Sequence, residues 1–379
     1  MKKKIILSLV LFLIIPFCSP INNIWASSLD ERKQAVNEVL NRRSHQENIA
    51  KEKRAAKIEK TLRDISLELT FEYAFSAQGE QSFELLNEAG GRASKLTYPI
   101  KGQMFIVKGE LGFFSKFFLG GRFSSSDFKK TINSDEDWDF VDDHNGIPDV
   151  DIEYQITKQG CESKVEFFDL NLYYRLLDFK EDPAKHGRLS ATEDTLFDNL
   201  LIDRLSLDIF AGYQRYKGRY AMVDPFLEAL RIVDGERWEA EGLPADVGLN
   251  SPYKISYEGP RFGFRAKGSK GKFTTQLSFA YSQVLKTEAY GYWNLRPGGL
   301  IFWQKGSNGY GLDFACEIIY SFTPSFSAGL GYNSLYFKQR KVKMYAEEAG
   351  VPWWEGFQDR IRNAESEIYY PSVIFKYIW

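Results

Sequence analysis

The sequence predicts an all-β fold: a ten-stranded antiparallel transmembrane β-barrel preceded by a short periplasmic helix. Three observations predict it. Apolar and polar residues alternate with a period of two over segments of 11 residues or more, whereas strands of a soluble sandwich usually run to about 5 or 6. Beyond the N-terminus no stretch has the roughly 18 consecutive apolar residues of a membrane helix, so any span must be made of strands. The connections between these segments are tight and long in turn, as in outer-membrane proteins with short periplasmic turns and longer outer loops.

The chain starts MKKKIILSLVLFLIIPFC, a lysine cluster and a short apolar core that read as a secretory signal peptide over 1–26, with Ile24 and Ala26 ahead of the cleavage point. Cys18 follows the bulky Phe17 where a lipoprotein signal needs a small residue, so lipidation is not expected. Residues 27–61 are a charged segment in which Ser28 and Glu31 are spaced as a capping box opening a helix. Its apolar positions, Leu29, Val36, Val39 and Leu40, are sparse, which suits a solvated periplasmic helix; docking of its basic excess on lipid phosphates or cell wall is the alternative.

The barrel is expected over 62–379, with strands at 62–76, 102–113, 117–127, 164–177, 203–217, 254–267, 272–286, 309–322, 325–340 and 365–379. In the first, Ile65, Leu67, Leu69, Phe71, Tyr73 and Phe75 alternate with Ser66, Glu68, Thr70, Glu72, Ala74 and Ser76, giving one greasy face and one charged face. Tight turns are expected at 114–116, 268–271 and 323–325, and long loops at 128–163, 218–253 and 341–364; the link 178–202 breaks the rule by being long at the tight end. The chain closes with VIFKYIW, placing Val373, Phe375, Tyr377 and Trp379 on one face. These suit an aromatic girdle, and a terminal aromatic with this alternation also looks like the signal read by the bacterial barrel-assembly machinery. Closure into a barrel leaves no unpaired strand edge in a bilayer without water.

Composition narrows the partners. The net charge is −2, and 21 Tyr and 30 Phe far outnumber 4 Met and 3 Cys, which argues against a nucleic-acid partner. Cys161 and Cys316 are too few for a disulfide scaffold.

Five short motifs, in order and at matching spacing, carry a resemblance: DISL at 64–67, EAGGRASKLTYPIKGQMFIVKGEL at 88–111, DEDW at 135–138, EFFDLNLYYRLL at 166–177 and AGYQ at 211–214. Together they resemble the omptins, ten-stranded proteases of the outer membrane of Gram-negative bacteria. The resemblance covers roughly 62–217 and becomes a matter of strand count beyond about 290. It implies outer-membrane localisation and a site at the extracellular mouth where an aspartate couple faces an aspartate–histidine dyad across a water that attacks the peptide.

The couple would be Asp135 and Asp137, since residues two apart on a strand point to the same side and can hold one water. The dyad is missing: 281–299, at the mouth end of the seventh strand, holds neither Asp nor His. Glu288 is the nearest carboxylate and could serve as base only with a raised pKa, while His144 lies in the right loop for a rearranged dyad. The family's lipopolysaccharide contacts imply Tyr213, with Arg215 and Lys217 making the stretch more basic than the mixed-charge pattern expected; outer-membrane lipid headgroups in general would suit it too. Asp143, Asn145, Asp149 and Asp151 set oxygen ligands around Gly146, a candidate calcium site that lacks the full twelve-residue calcium pattern; a merely solvated acidic loop is the plainer account, and no other cofactor is expected.

Three functions remain. The favoured one is an omptin-like surface binding or structural protein without the complete proteolytic set. The second is an omptin-type aspartic endopeptidase with a displaced base. A pore ranks last, because inward positions such as Glu68, Glu72, Lys108, Glu110, Asp169, Arg175, Arg261 and Arg265 can pair and fill a narrow barrel.

Overall fold

The computed structural model describes residues 65–86, 90, 92–113, 115–141, 151–180, 203–233, 236–241, 248–294, 299–353 and 355–379, together with 44–47, 49, 51 and 52; at Asp135, Asp137 and Asp151 the description stops at the backbone. Asp64–Trp379 is one compact unit and Met1–Arg63 another. In the latter, the described residues Ser44–Glu47, Ile49, Lys51 and Glu52 are helical and exposed, and the Ser28–Glu31 capping box lies outside the described residues.

The larger unit is an antiparallel sheet of β1 (Ser66–Leu86), β2 (Arg92–Phe113), β3 (Phe117–Val141), β4 (Asp151–Lys180), β5 (Arg204–Val233), β6 (Glu236–Glu241), β7 (Asn250–Lys270), β8 (Phe273–Val284), β9 (Lys286–Trp293), β10 (Leu300–Gly306), β11 (Gly309–Ser321), β12 (Phe326–Glu348), β13 (Val351–Pro352) and β14 (Gln358–Ile378). Pairing of β5 with β7 closes a ring of ten strands in the order β7, β8, β11, β12, β14, β1, β2, β3, β4, β5. β9 and β10 prolong β8 and β11 beyond the interruptions at Leu285 and at Ser307–Asn308.

All ten expected strands are present, and most run further than expected. The stretch 128–163, expected as a loop, is instead strand up to Val141 and again from Asp151, and β5 runs on through 218–233. Polar loop-like sequence stays in the ladder where its backbone groups find partners, 134–137 with β2 and β4 and β5 beyond Val223 with β4 and β6. The tight turns at 115–116, 271–272 and 322–325 lie at one end with the ends of β1 and β14, and the 181–202 connection leaves from that same end.

Polarity changes part-way up each strand. Toward the tight-turn end the outer face carries Phe71, Phe105, Leu170, Ile209, Phe262, Phe314 and Phe375, each more than one-third exposed, and the inner face carries charges. Arg122 and Arg261 both bridge Asp169 and Asp313, with Arg122 Nε to Asp169 Oδ2 at 2.8 Å, Arg261 Nη1 to the same oxygen at 2.6 Å and Arg261 Nη2 to Asp313 Oδ2 at 2.7 Å. Lys108 joins Glu72 and Glu317, Arg265 joins Glu110 and Asp208, Arg175 joins Asp208, and Lys376 joins Glu68. Every one of these charges has an opposite partner, as burial requires. Two cavities lie among them, one of about 90 Å³ at Arg122 and Arg261 and one of about 300 Å³ nearer the tight turns, beside Glu68, Arg175 and Lys376.

Toward the other end the arrangement reverses. Tyr98, Tyr216, Tyr220, Tyr253, Tyr257, Phe83, Phe302 and Phe337 fill the lumen, with Tyr98 stacked on Tyr253 at 5.3 Å and Tyr257 on Phe337 at 5.5 Å. Each such buried side chain contributes about 1.5–3 kcal/mol. The Arg122 guanidinium lies 4.4 Å from the Phe167 ring and ties the ionic layer to this aromatic plug. Outside, the same stretches carry Arg215, Arg219, Lys254, Lys286 and Glu288.

Candidate functional site

The candidate couple sits near the long-loop end of β3. Its register sets Asp135 opposite Leu96 and Thr157, and Asp137 opposite Ser94 and Gln155. Of these partners Ser94, Leu96 and Thr157 are buried.

Across the ring the sequence expectation needs correction. Continuing the alternation of β8, in which Ser282 and Val284 face inward, would turn Glu288 inward too. Leu285 instead forms a bulge, donating its N–H to the Glu258 carbonyl at 3.0 Å, so that Leu285 and Lys286 both face outward. Gly259 opposite makes room: a Cβ there would lie 1.9 Å from the Gln283 carbonyl oxygen. Glu288 therefore faces away from the lumen, 49% exposed and paired with Lys286 at 2.9 Å, and is not brought to the couple. The inward residues two apart are Thr287, which donates to Gln339 Oε1 at 3.1 Å, and Ala289. Neither side chain can take a proton near neutral pH.

His144, Asp143, Asn145 and Asp149 lie outside the described residues, and Asp151 opens β4 opposite Val141. Among the described residues no group of three His, Cys, Asp or Glu could hold a metal ion.

Tyr213, Arg215 and Lys217 share the outer face of β5. Glu258 of β7 takes the Tyr213 hydroxyl at 3.0 Å and Arg215 Nε at 2.7 Å. The mixed-charge character absent from β5 itself is thus supplied by the neighbouring strand. Trp379 donates its N–H to the Leu67 carbonyl at 2.9 Å, packs edge-on to Tyr377 at 4.3 Å and remains 62% exposed.

The aromatic plug was not among the sequence-derived candidates. Its signal was present: Leu96, Tyr98 and Ile100 alternate with Lys95, Thr97, Pro99 and Lys101 in the period of a strand. Cys161, beside the plug, is a buried thiol pushed up to about 12 by that burial, an inert packing group.

No family model and no curated protein matches the sequence. Among solved structures the chain is similar to the outer-membrane protease OmpT from Escherichia coli, with a TM-score of 0.60 and 14% identity over 83% of this chain and 97% of that one. The likeness is one of fold: an all-β antiparallel sheet of the outer-membrane type. The CymD monoaromatic hydrocarbon channel (TM-score 0.23, 9% identity, 83% and 88% coverage) and the Pseudomonas putida toluene transporter TodX (0.21, 10%, 83% and 89%) superpose too loosely to inform the site.

Proposed function

We propose that this chain is an omptin-like β-barrel of the Gram-negative outer membrane that serves as a surface binding or structural scaffold and does not run the omptin reaction. The observation that carries this reading is the bulge at Leu285, which turns Thr287 and Ala289 to the lumen where a base would be needed. A water held by the couple needs a group to accept its proton, and such general-base help is typically worth about 10² to 10⁴ in rate. The filled lumen argues equally against a pore.

In this reading 1–26 is removed as a signal peptide, 27–61 and the tight turns face the periplasm, and Asp135 faces outside. Tyr213, Arg215 and Lys217 meet lipopolysaccharide headgroups, and Trp379 is read by the barrel-assembly machinery. The test is turnover of a peptide library by refolded protein with lipopolysaccharide. The expected result is no cleavage above background; cleavage abolished by Asp135→Ala or Asp137→Ala would overturn the reading, and sensitivity to His144→Ala would then identify the base.

A further inference from the structure

The registers align one transverse row on the outer face of the loop-end half. Arg219 of β5 pairs with Lys254 of β7, Lys254 with Tyr290 of β9, Tyr290 with Trp303 of β10 and Trp303 with Tyr345 of β12. Phe357, just ahead of β14, extends it with its ring 5.9 Å from Tyr345. The rings form a ladder, Tyr290 to Trp303 at 5.8 Å and Trp303 to Tyr345 at 5.4 Å. Neighbouring strands lie about 4.8 Å apart, so five steps make a track about 24 Å long, two cations followed by four aromatic rings.

The track is not the lipid-facing girdle. On β12 the last exposed aromatic of the greasy band is Tyr332, and Lys338, Arg340 and Lys343 stand on the outer face between it and Tyr345. Thirteen positions of strand at about 3.3 Å each carry Tyr345 well beyond a headgroup layer, even with a strand tilt of about 45°.

Its cations gather at one end, while at the aromatic end Glu347 accepts the Tyr345 hydroxyl at 3.0 Å. Arg215 is paired with Glu258 and Lys286 with Glu288, but among the described residues Lys217, Arg219 and Lys254 face no carboxylate at ion-pair distance. Lys305, in the row beneath, lies 4.6 Å from the Phe357 ring and stands opposite Glu288 in the register. A hollow of about 390 Å³ runs along Arg219, Lys254, Tyr290, Trp303 and Lys305, with Glu288, held by Lys286, as the one carboxylate in its lining. The strands bearing the row are paired on both sides, so no sheet edge is offered there to a peptide strand.

Flat rings in a row stack on the apolar faces of successive sugar units, and unpaired cations at one end take acidic substituents. We infer that this row, Arg219–Lys254–Tyr290–Trp303–Tyr345–Phe357, is a binding track for a linear anionic polysaccharide outside the membrane. The inference rests on the reading of the chain as a surface scaffold and names the class of its partner.

The test uses full-length protein refolded in neutral detergent and three probes: a polygalacturonate oligomer, a neutral dextran of equal length and anionic phospholipid vesicles. The polyuronate is expected to bind saturably and more weakly as salt rises. Trp303→Ala with Tyr345→Ala should weaken it about tenfold, and Trp303→Phe should retain most of it. Lys254→Glu should weaken the polyuronate and leave the dextran unchanged. Native heat-modifiable mobility of each variant shows that the fold is kept. Absence of polyuronate binding, equal binding of dextran, preference for vesicles alone, or indifference to the double substitution would each overturn the inference. Peptide turnover in the same preparation would count against the non-proteolytic reading and leave the polysaccharide result standing.

Discussion

Along β5, Asp208 and Tyr216 both face the lumen, and Ile209 and Arg219 both face outward, yet the two pairs have opposite chemistry. Nearer the tight turns the strand is charged within and apolar without; farther along it is apolar within and charged without. β7 repeats the change, from Arg261 inside and Phe262 outside to Tyr253 inside and Lys254 outside. One backbone ladder thus carries two opposite arrangements. In the proposed outer-membrane reading the first half would meet lipid, with its charges sealed inside, and the second would stand in water, where an ordinary apolar core is sufficient. In that reading the place where polarity inverts marks the edge of the membrane.

Breaking the ionic half is expected to have the largest effect. Arg122→Leu leaves Asp169 and Asp313 buried with one cation fewer, at a cost of about 3–5 kcal/mol, and urea unfolding in lipid vesicles measures it. Tyr253→Ala in the plug creates a cavity and should cost a similar or slightly smaller amount, about 3–4 kcal/mol, without stranding a charge. Replacing Arg122 together with Asp313 by apolar residues should recover part of the first loss, and no substitution elsewhere should recover the second.

The outer face sharpens the same comparison. Phe71→Arg, in the greasy band, should cost about 2–4 kcal/mol if it lies near the bilayer midplane. Gln78→Arg, outward on the same strand beyond the inversion, should stay within about 0.5 kcal/mol. Equal costs in the unfolding assay would erase the distinction.

Alkaline pH should act on the plug. Burial, with neighbouring phenols adding to it, pushes the hydroxyls of Tyr220 and Tyr253 well above their ordinary range. Because the folded value lies above the unfolded value of about 10, the contribution of the neutral hydroxyls is fully present below about pH 10 and is lost as pH rises through the folded values. Stability should fall above about pH 10, and Tyr253→Phe should flatten that fall. The smallest effect concerns thiols: Cys161 should resist maleimide at neutral pH until the chain unfolds, while the half-buried Cys316 between Phe314 and Ile318 should react with a lipid-soluble reagent.

Much of this was legible in the residues. The alternation of Ile65 to Phe75 gave the greasy face of β1, and Glu72, Lys108 and Asp169 were readable as inward charges. Tyr98 escaped because Pro99 and Lys101 make 95–101 look like a loop, although both occupy outward-side positions where a strand tolerates them. The side of the sheet that Glu288 takes was not legible, because a bulge shifts the period by one residue and period-two reading has no signal for a bulge beyond the glycine across from it. Arg122 and Asp313 found each other only through ring closure, at a separation of 191 residues.

The inversion itself is tested most directly by walking a spin label along the outward positions of β12, from Leu330 through Tyr332, Ser334 and Tyr336 to Lys338 and Arg340, in a Cys161→Ala, Cys316→Ala background in lipid bilayers. Accessibility to oxygen dissolved in lipid should dominate at Leu330 and Tyr332 and give way to accessibility to a water-soluble nickel reagent by Lys338. Lipid-type accessibility persisting through Arg340, or water-type accessibility already at Leu330, would contradict the account.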